Sequence, residues 1–235
     1  MKERINVLDK GYVRLIETMG SDLEIVNDAR VSFAKESGWD ENGELKKNDK
    51  ALVDFLVRRK EMSPFRGCVM KFECKVPIVI ARQWFKYSVA STHRDEQFSW
   101  NEVSRRYVTM EPEFYIPETF RSSPENRKQG SGGPIDPATN ERYRKVLESH
   151  GNAGVLLYER AIQAGIAPEE ARYFLPYACT YTIFRWTTSL QALCFFLTER
   201  LADKAQWALN QYAQAVHTFA KEKFPIAVSS LVVVE

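Results

Sequence analysis

The sequence has few of the residues that build metal sites and disulfide frameworks. Its 235 residues include four cysteines and three histidines. The cysteines form no C-x-x-C pair and do not cluster with the histidines, so neither a zinc site nor a disulfide framework is indicated. We therefore expect no metal, and reduced thiols with mostly structural roles at Cys68, Cys74, Cys179 and Cys194.

Long apolar runs and a strong charge imbalance are also absent from the sequence. No apolar run approaches the ~20 residues that span a bilayer, and the N-terminal MKERINVLDKGYV lacks the apolar core of a signal peptide. We therefore expect a cytoplasmic protein without a membrane partner. The net charge of +2 is too small for a general nucleic-acid coat, which argues against a nucleic-acid partner.

The residues that are present support one sizeable core. Hydrophobic residues make up 44% of the chain and aromatic residues 12%, so a single domain over residues 1–235 is the default expectation. The segment CVMKFECKV alternates apolar and charged residues, which predicts a half-buried strand, and CTYTIFRW predicts a second strand with weaker alternation. Residues 121–138 are rich in Ser, Gly, Pro and charge and are expected to form a long loop.

Helix signals occur on both sides of these strands. Ser21 and Glu24 match a capping box, which predicts a helix to about Arg30. The segment NDKALVDFLVRRKEMSPF predicts a helix that Ser63-Pro64 stops, and Pro77 is expected to begin a helix through IVIARQWFKYSVAS. From Asn140 the chain is expected to be mainly helical, and the last predicted helix carries an apolar stripe of Leu209, Tyr212, Val216 and Phe219.

Basic side chains crowd the stretch ARQWFKYSVASTHRDEQFSWNEVSRRYV, residues 81–108. A guanidinium is a rigid fork of donors that matches phosphate oxygens, and buried arginine is rarely tolerated without an anionic partner. The arginines considered for such a role are Arg82, Arg106, Arg172 and Arg200. The alternative is an ion pair with a neighbouring carboxylate. Arg200 directly follows Glu199, and Arg172 lies near Glu169 and Glu170, so these carboxylates are possible partners.

Several segments together resemble the flavin-dependent thymidylate synthases. They are ARVSF, SPF, RQWF, then a serine separated by eight residues from WNEVSRRY, then EARYFLP and TERLADKAQW, in the family's order and over most of the chain. The resemblance implies an α+β (mixed α/β) fold with a small, mainly antiparallel sheet surrounded by helices. It also implies a homotetramer with active sites at subunit interfaces, which converts dUMP to dTMP with FAD, methylenetetrahydrofolate and NADPH.

The resemblance further implies a binding site for dUMP. The matching residues are Gln83, Trp84, Lys86, Glu102, Val103, Ser104, Arg105, Arg106, Arg172 and Arg200. Arg200 matches the arginine thought to stabilise the ionised N3 side of the uracil, which would make C5 more nucleophilic, and it is the expected catalytic residue. No cysteine lies in a matching segment, so a cysteine nucleophile is not predicted.

The FAD site that the resemblance implies is less complete than the dUMP site. Its expected residues are Ser32, Ser63, Lys86, Tyr87, Ser88, Arg94, Glu102, Ser189 and Gln191. Family members usually read R-H-R where this chain has Lys86-Tyr87-Ser88, and residues 92–99 are interpreted as an insertion. In an alternative register Arg94 takes the place of the first arginine. The family's flavin-contacting Asn, Arg and Asn fall on Ser189, Gln191 and Phe195, and a histidine near flavin and folate becomes Lys204.

Two other functions compete with this interpretation. One is a related methyltransferase that acts on another pyrimidine nucleotide. The second is a non-catalytic nucleotide-binding or nucleic-acid-binding paralogue, in which KYSVASTHR and SRRY contact phosphates and aromatic residues stack on bases. A yellow purified protein would favour the flavoenzyme, whereas steep salt-dependent binding of oligonucleotides would favour the paralogue.

Overall fold

The structure is a computed structural model that describes residues 3–87, 100–104, 112–124 and 130–234. Its strands are β1 (Arg4–Val7), β2 (Gly11–Met19), β3 (Val69–Pro77), β4 (Trp100–Glu102) and β5 (Tyr181–Ser189). They form one antiparallel sheet in the order β1-β2-β3-β5-β4.

The described residues also form nine α-helices. They are α1 (Asp22–Arg30), α2 (Lys47–Arg59), α3 (Ser63–Gly67), α4 (Ile78–Trp84), α5 (Pro137–Gln163), α6 (Pro168–Ala171), α7 (Leu190–Leu201), α8 (Trp207–Lys223) and α9 (Pro225–Leu231). The mixed α/β fold with a small antiparallel sheet is therefore confirmed. No helix in the described part of the chain is both long enough and apolar enough to cross a membrane.

The period of two in β3 separates the core from the outer face of the sheet. Met70, Phe72 and Cys74 are fully buried, whereas the charged residues between them are only partly buried. β3 pairs with β5 along its whole length, from Val69 opposite Ser189 to Pro77 opposite Tyr181. Both strands that the sequence predicted are thus confirmed, and they lie side by side within the sheet.

Helices α4, α7 and α8 cover the buried face of the sheet with aromatic side chains. The Trp84 ring centroid lies 4.8 Å from that of Phe196 on α7 and 5.5 Å from that of Phe184 on β5. The four residues of the predicted stripe on α8 are all buried, as expected. Each such side chain contributes ~1.5–3 kcal/mol through removal of apolar surface from water, so this cluster anchors α4 and α7 to the sheet.

Several element boundaries differ from the sequence prediction. α2 ends at Arg59 because Lys60 adopts a left-handed conformation with φ of 59°, and Ser63-Pro64 begins α3 rather than only stopping α2. α4 ends at Trp84, so Lys86 lies beyond the helix. α5 begins at Pro137, because the Asp136 carboxylate accepts hydrogen bonds from two backbone N–H groups of its first turn, each at 3.0 Å.

The hairpin of β1 and β2 and the helix α9 were not predicted. The hairpin packs against α8 so closely that a Cβ on Gly11 would lie 1.9 Å from the Tyr212 hydroxyl and 2.7 Å from the Val7 carbonyl. That hydroxyl donates to the Lys75 carbonyl at 2.8 Å. Only glycine fits at this position, which fixes the register of the hairpin on the helix.

Candidate functional site

A cleft of about 400 Å³ lies where β4 ends and β5 begins. It contains four of the residues predicted for dUMP, namely Glu102, Val103, Ser104 and Arg172. Strand pairing places Glu102 and Val103 there, since Glu102 stands opposite Phe184 and the Val103 N–H donates to the Ile183 carbonyl at 2.9 Å. Arg172 lies in the short 3-10 helix Arg172–Phe174. The rest of the lining comes from Ile78, Leu175, Tyr177, Thr180, Tyr181 and Thr182.

The cleft offers both a fixed acceptor and a cationic donor. The Glu102 carboxylate accepts a hydrogen bond from the Thr182 hydroxyl at 2.6 Å. The Arg172 Nε donates to the Glu169 backbone carbonyl at 2.9 Å, which uses one of five guanidinium N–H donors. No ion pair joins Arg172 to a carboxylate within the described residues. The remaining donors can therefore serve an anionic ligand.

A second group of predicted residues, which we call the Arg200 cluster, consists of Lys86, Tyr87 and Arg200, and the predicted residue Gln83 precedes it on α4. The Arg200 guanidinium carbon lies 5.4 Å from the centroid of the Tyr87 ring, and the Arg200 charge opposes the rise in the Tyr87 pKa that burial causes. Lys86 Nζ lies 5.6 Å from the same ring centroid, and Gln83 donates to the Gln206 side chain. Arg200 forms no ion pair with Glu199 or any other described carboxylate.

Trp84 precedes the Arg200 cluster but does not share its surface. Its side chain is fully buried among Phe184, Trp186, Phe196 and Tyr212. The prediction that Trp84 binds dUMP is therefore corrected for the side chain, because no face of the indole ring is open to a ligand. Only the Trp84 backbone could meet a nucleotide.

A third group lies where α3 meets the start of α7. Arg66 Nε donates to the Gln191 side-chain carbonyl at 2.7 Å, and Ser63, at the start of α3, is exposed. We call Ser63, Arg66 and Gln191 the α3–α7 surface. Sequence reasoning missed Arg66, because it belongs to no quoted motif. Its position three residues after Ser63 in SPFRG, on one short helix, is the signal that could have found it.

Two other residues predicted for FAD have different surroundings. The Ser189 side chain is fully buried, and its hydroxyl accepts the Ala192 backbone N–H at 3.2 Å as the N-cap of α7. The Ser189 hydroxyl therefore caps the helix that carries Gln191 and Arg200. Ser32 is exposed in the 3-10 helix Val31–Phe33. Ser88, Arg94, Arg105, Arg106 and the inserted residues 92–99 lie outside the described residues.

The cysteines are unsuited to nucleophilic chemistry. All four are free thiols, and three of them are buried. Burial raises the pKa of the Cys68 thiol to about 12 and raises the pKa values of Cys74 and Cys194 as well. A thiol with a raised pKa holds little thiolate at neutral pH. Within the described ranges, no group of three or more His, Cys, Asp or Glu side chains could hold a metal.

Comparison with solved structures finds the same fold in a protein of known structure. The UMP/dUMP methylase PolB from Streptomyces cacaoi, bound with 5-Br dUMP, superimposes with a TM-score of 0.80 over 98% of this chain and 98% of PolB. The same protein bound with 5-Br UMP gives a TM-score of 0.77. Both are 24% identical to this chain, so the likeness establishes the shared fold.

Sequence comparison then gives the family. The family model described as thymidylate synthase complementing protein matches residues 14–226. A flavin-dependent thymidylate synthase of Thermus thermophilus is 41% identical over 224 residues, which are 95% of this chain and 76% of the relative. That of Thermosipho africanus is 35% identical over 93% of this chain and 90% of the relative. The chain therefore belongs to the thymidylate synthase complementing protein family, that of the flavin-dependent thymidylate synthases, as the motifs predicted.

Proposed function

We propose that this chain is a flavin-dependent thymidylate synthase that methylates dUMP at C5 to give dTMP. Methylenetetrahydrofolate supplies the carbon, and FAD reduced by NADPH supplies the hydride that completes the methyl group. The observation that carries the proposal is the cleft in which Glu102, Ser104 and Arg172 come together. The whole chain, residues 1–235, is treated as one domain of this kind, acting in the cytoplasm on a small nucleotide rather than on nucleic acid.

The chemistry of the cleft suits different parts of the nucleotide. Arg172 is suited to the phosphate, because guanidinium donors form charge-assisted hydrogen bonds with anionic oxygens. Glu102 can only accept hydrogen bonds when ionised, so it suits a hydroxyl or a ring N–H and would repel the phosphate. The Thr182 hydroxyl holds the Glu102 carboxylate in place at 2.6 Å. The cleft thus favours one orientation of a nucleotide.

Arg200 has the chemistry required at the uracil ring. When N3 gives up its proton, negative charge spreads over the ring, and a nearby guanidinium stabilises that charge. The added electron density makes C5 a better nucleophile toward the folate carbon. This role needs a cation that no carboxylate neutralises, and Arg200 meets this requirement among the described residues.

The α3–α7 surface and Lys86 fit FAD by their donor chemistry. Arg66 and Lys86 are exposed cations, Ser63 is an exposed hydroxyl, and Gln191 provides an amide beside Arg66. Cations and hydroxyl donors of this kind suit a pyrophosphate and the polar edge of a ring. Arg66 would restore at this surface the positive charge that is lost where the family's arginine is replaced by Gln191.

Replacing Arg66 by alanine should therefore weaken FAD binding about tenfold or more, because a charge-assisted hydrogen bond contributes ~1.5–3 kcal/mol. Binding of dUMP should stay unchanged. The measurement is titration of the protein with FAD by flavin fluorescence, alongside calorimetry with dUMP. Arg58→Ala is the control, because Arg58 is an exposed arginine in the last turn of α2. Equal FAD affinities for the two variants would exclude Arg66 from the cofactor site.

We also propose that the active site is completed at the interfaces of a homotetramer. The α3–α7 surface and the Arg200 cluster lie toward opposite ends of α7, about 13 Å apart for nine residues of helix. In addition, α5 carries five large apolar side chains that are at least 36% exposed, at Tyr143, Val146, Leu156, Leu157 and Ile162. Large apolar side chains that remain exposed are candidates for burial at a protein interface. Neighbouring chains could cover it and bring separated residues to one ligand.

Mixing two inactive variants tests this assembly. Arg172→Ala and Arg200→Ala tetramers, each with little activity, should regain a measurable part of the wild-type rate after subunit exchange if the two residues of one site come from different chains. Sedimentation analysis of the wild type should give a tetramer. A monomer with full activity, or no recovery after confirmed exchange, would contradict a shared site.

The reaction itself is tested by identifying the product. The protein is incubated with FAD, NADPH and methylenetetrahydrofolate, together with either dUMP or UMP, and the nucleotides are analysed by mass. Conversion of dUMP to dTMP is the expected result. Methylation of UMP alone would support a relative acting on another pyrimidine nucleotide. If FAD-loaded protein alters neither nucleotide, the proposal is wrong.

A further inference from the structure

We propose that Tyr87 is a positioning residue that holds the Arg200 guanidinium at the uracil, an inference that rests on the function proposed for Arg200. Tyr87 occupies the middle position of the triplet that replaces the usual R-H-R. Its side chain is 4% exposed, and the Arg200 guanidinium carbon lies 5.4 Å from the ring centroid. The Arg200 charge also opposes the rise in the Tyr87 pKa, so one side chain offers the guanidinium both a π face and a nearby polar oxygen.

Tyr87 is itself fixed by contacts on several sides. Its backbone carbonyl accepts the Trp186 indole N–H at 3.1 Å, and its backbone N–H donates to the Trp84 carbonyl at 3.0 Å. The ring packs edge-on against Phe196 with centroids 5.2 Å apart, and it also contacts Phe195 at 5.7 Å. A ring held in this way cannot turn aside without breaking core contacts, so it provides a rigid support.

Arg200 needs such a support because the part of the chain that the structure describes offers its guanidinium few other contacts. It lies in the last turn of α7, and its Nε is buried without a hydrogen-bond partner among the described residues. Its backbone carbonyl accepts from the Asn210 side chain at 3.0 Å, which fixes the main chain but not the guanidinium. Among the described residues, the Tyr87 phenol is therefore the side chain that sets the direction of the guanidinium.

A phenol also differs from a carboxylate in its effect on charge. A carboxylate partner would neutralise the guanidinium and reduce its attraction for an anionic ring. Burial raises the pKa of Tyr87, although the nearby Arg200 opposes this, so the hydroxyl remains neutral at physiological pH. Tyr87 can thus hold Arg200 while leaving its positive charge available to the substrate. This is the property that a residue supporting an anion-stabilising arginine requires.

A double-mutant cycle on the FAD-loaded full-length protein tests the inference. Tyr87→Phe keeps the π face and removes the hydroxyl, and it is expected to lower kcat about tenfold. It should also weaken dUMP binding in calorimetry when Arg200 is present. In the Arg200→Ala background, the same substitution should leave dUMP affinity unchanged, because the group on which Tyr87 acts is gone. Tyr158→Phe, in a separate buried cluster, is the control for loss of a buried tyrosine hydroxyl.

The outcomes separate the inference from the function on which it rests. If Tyr87→Phe weakens dUMP binding by the same factor in both backgrounds, Tyr87 supports the fold and the positioning role is wrong. The role is equally wrong if Tyr87→Phe has wild-type kcat. If the wild type neither binds dUMP nor forms dTMP, the proposed function fails first, and the inference falls with it. Melting temperatures of all variants show whether each remains folded.

Discussion

Replacing Arg200 by alanine is expected to lower kcat about 100- to 1,000-fold, the usual cost of removing one preorganised donor from a developing anion. The substitution removes a charge that acts on the uracil ring in the transition state, so kcat should fall more than KM rises. The fold should persist, because the guanidinium forms no ion pair within the described residues. Steady-state kinetics with dUMP and a thermal melt measure both effects.

Arg160→Ala is the matched control for this prediction. Arg160 also lies in the last turn of a helix, α5, but it is exposed and outside the Arg200 cluster. Arg200→Lys should retain more activity than Arg200→Ala because it keeps the charge, and less than the wild type because it loses the planar fork. Near-normal turnover by pure, folded Arg200→Ala protein would remove Arg200 from the mechanism.

Replacing Trp84 by alanine should lower the free energy of unfolding by ~3–5 kcal/mol, because it leaves a large cavity at the centre of the core. Trp84 is fully buried and contacts four aromatic rings. Trp84→Phe should lower the free energy of unfolding by less than Trp84→Ala does. The indole N–H has no hydrogen-bond partner among the described residues, so its loss removes no hydrogen bond. Urea unfolding, analysed by linear extrapolation, gives both values.

Trp207→Ala provides the comparison, because Trp207 is 40% exposed at the start of α8. It should change stability by a small fraction of the Trp84 effect. If Trp84→Ala were as stable as Trp207→Ala, the aromatic cluster could not be the anchor of α4. A stable but inactive Trp84→Ala protein would instead restore Trp84 to the list of residues that act on substrate.

The parts of the fold that could be predicted are those in which the pattern of burial is regular. β3 and the stripe on α8 each bury one face, so their periods of two and about 3.6 are visible in the sequence. β1 is short, only Val7 of its four residues is buried, and β2 loses its alternation after Val13. α9 begins immediately after α8, with Pro225 as the only local signal. Such elements depend on tertiary packing rather than on local pattern.

The candidate site likewise contains residues that could be predicted from the sequence and residues that could not. Glu102 and Arg172 are seventy residues apart in sequence, and only the resemblance to a family predicted that they would share a cleft. Arg66 could not be predicted, because its contact with Gln191 depends on how α3 packs against α7. Tyr87 was predicted as a flavin contact, and its proximity to Arg200 became evident only in three dimensions. Motifs identify residues, whereas packing determines which of them meet.

The length of helix α7 fixes the separation and relative orientation of Gln191 and Arg200. The helix begins at the buried Ser189 cap, carries Gln191 in its first turn and ends with Arg200 in its last. Because an α-helix turns by about 100° per residue, inserting one residue between these two positions would rotate Arg200 away from Tyr87 while Gln191 stayed beside Arg66. Insertions or deletions within α7 should therefore be tolerated only near whole turns, and even these would shift Arg200 by about 5 Å along the helix.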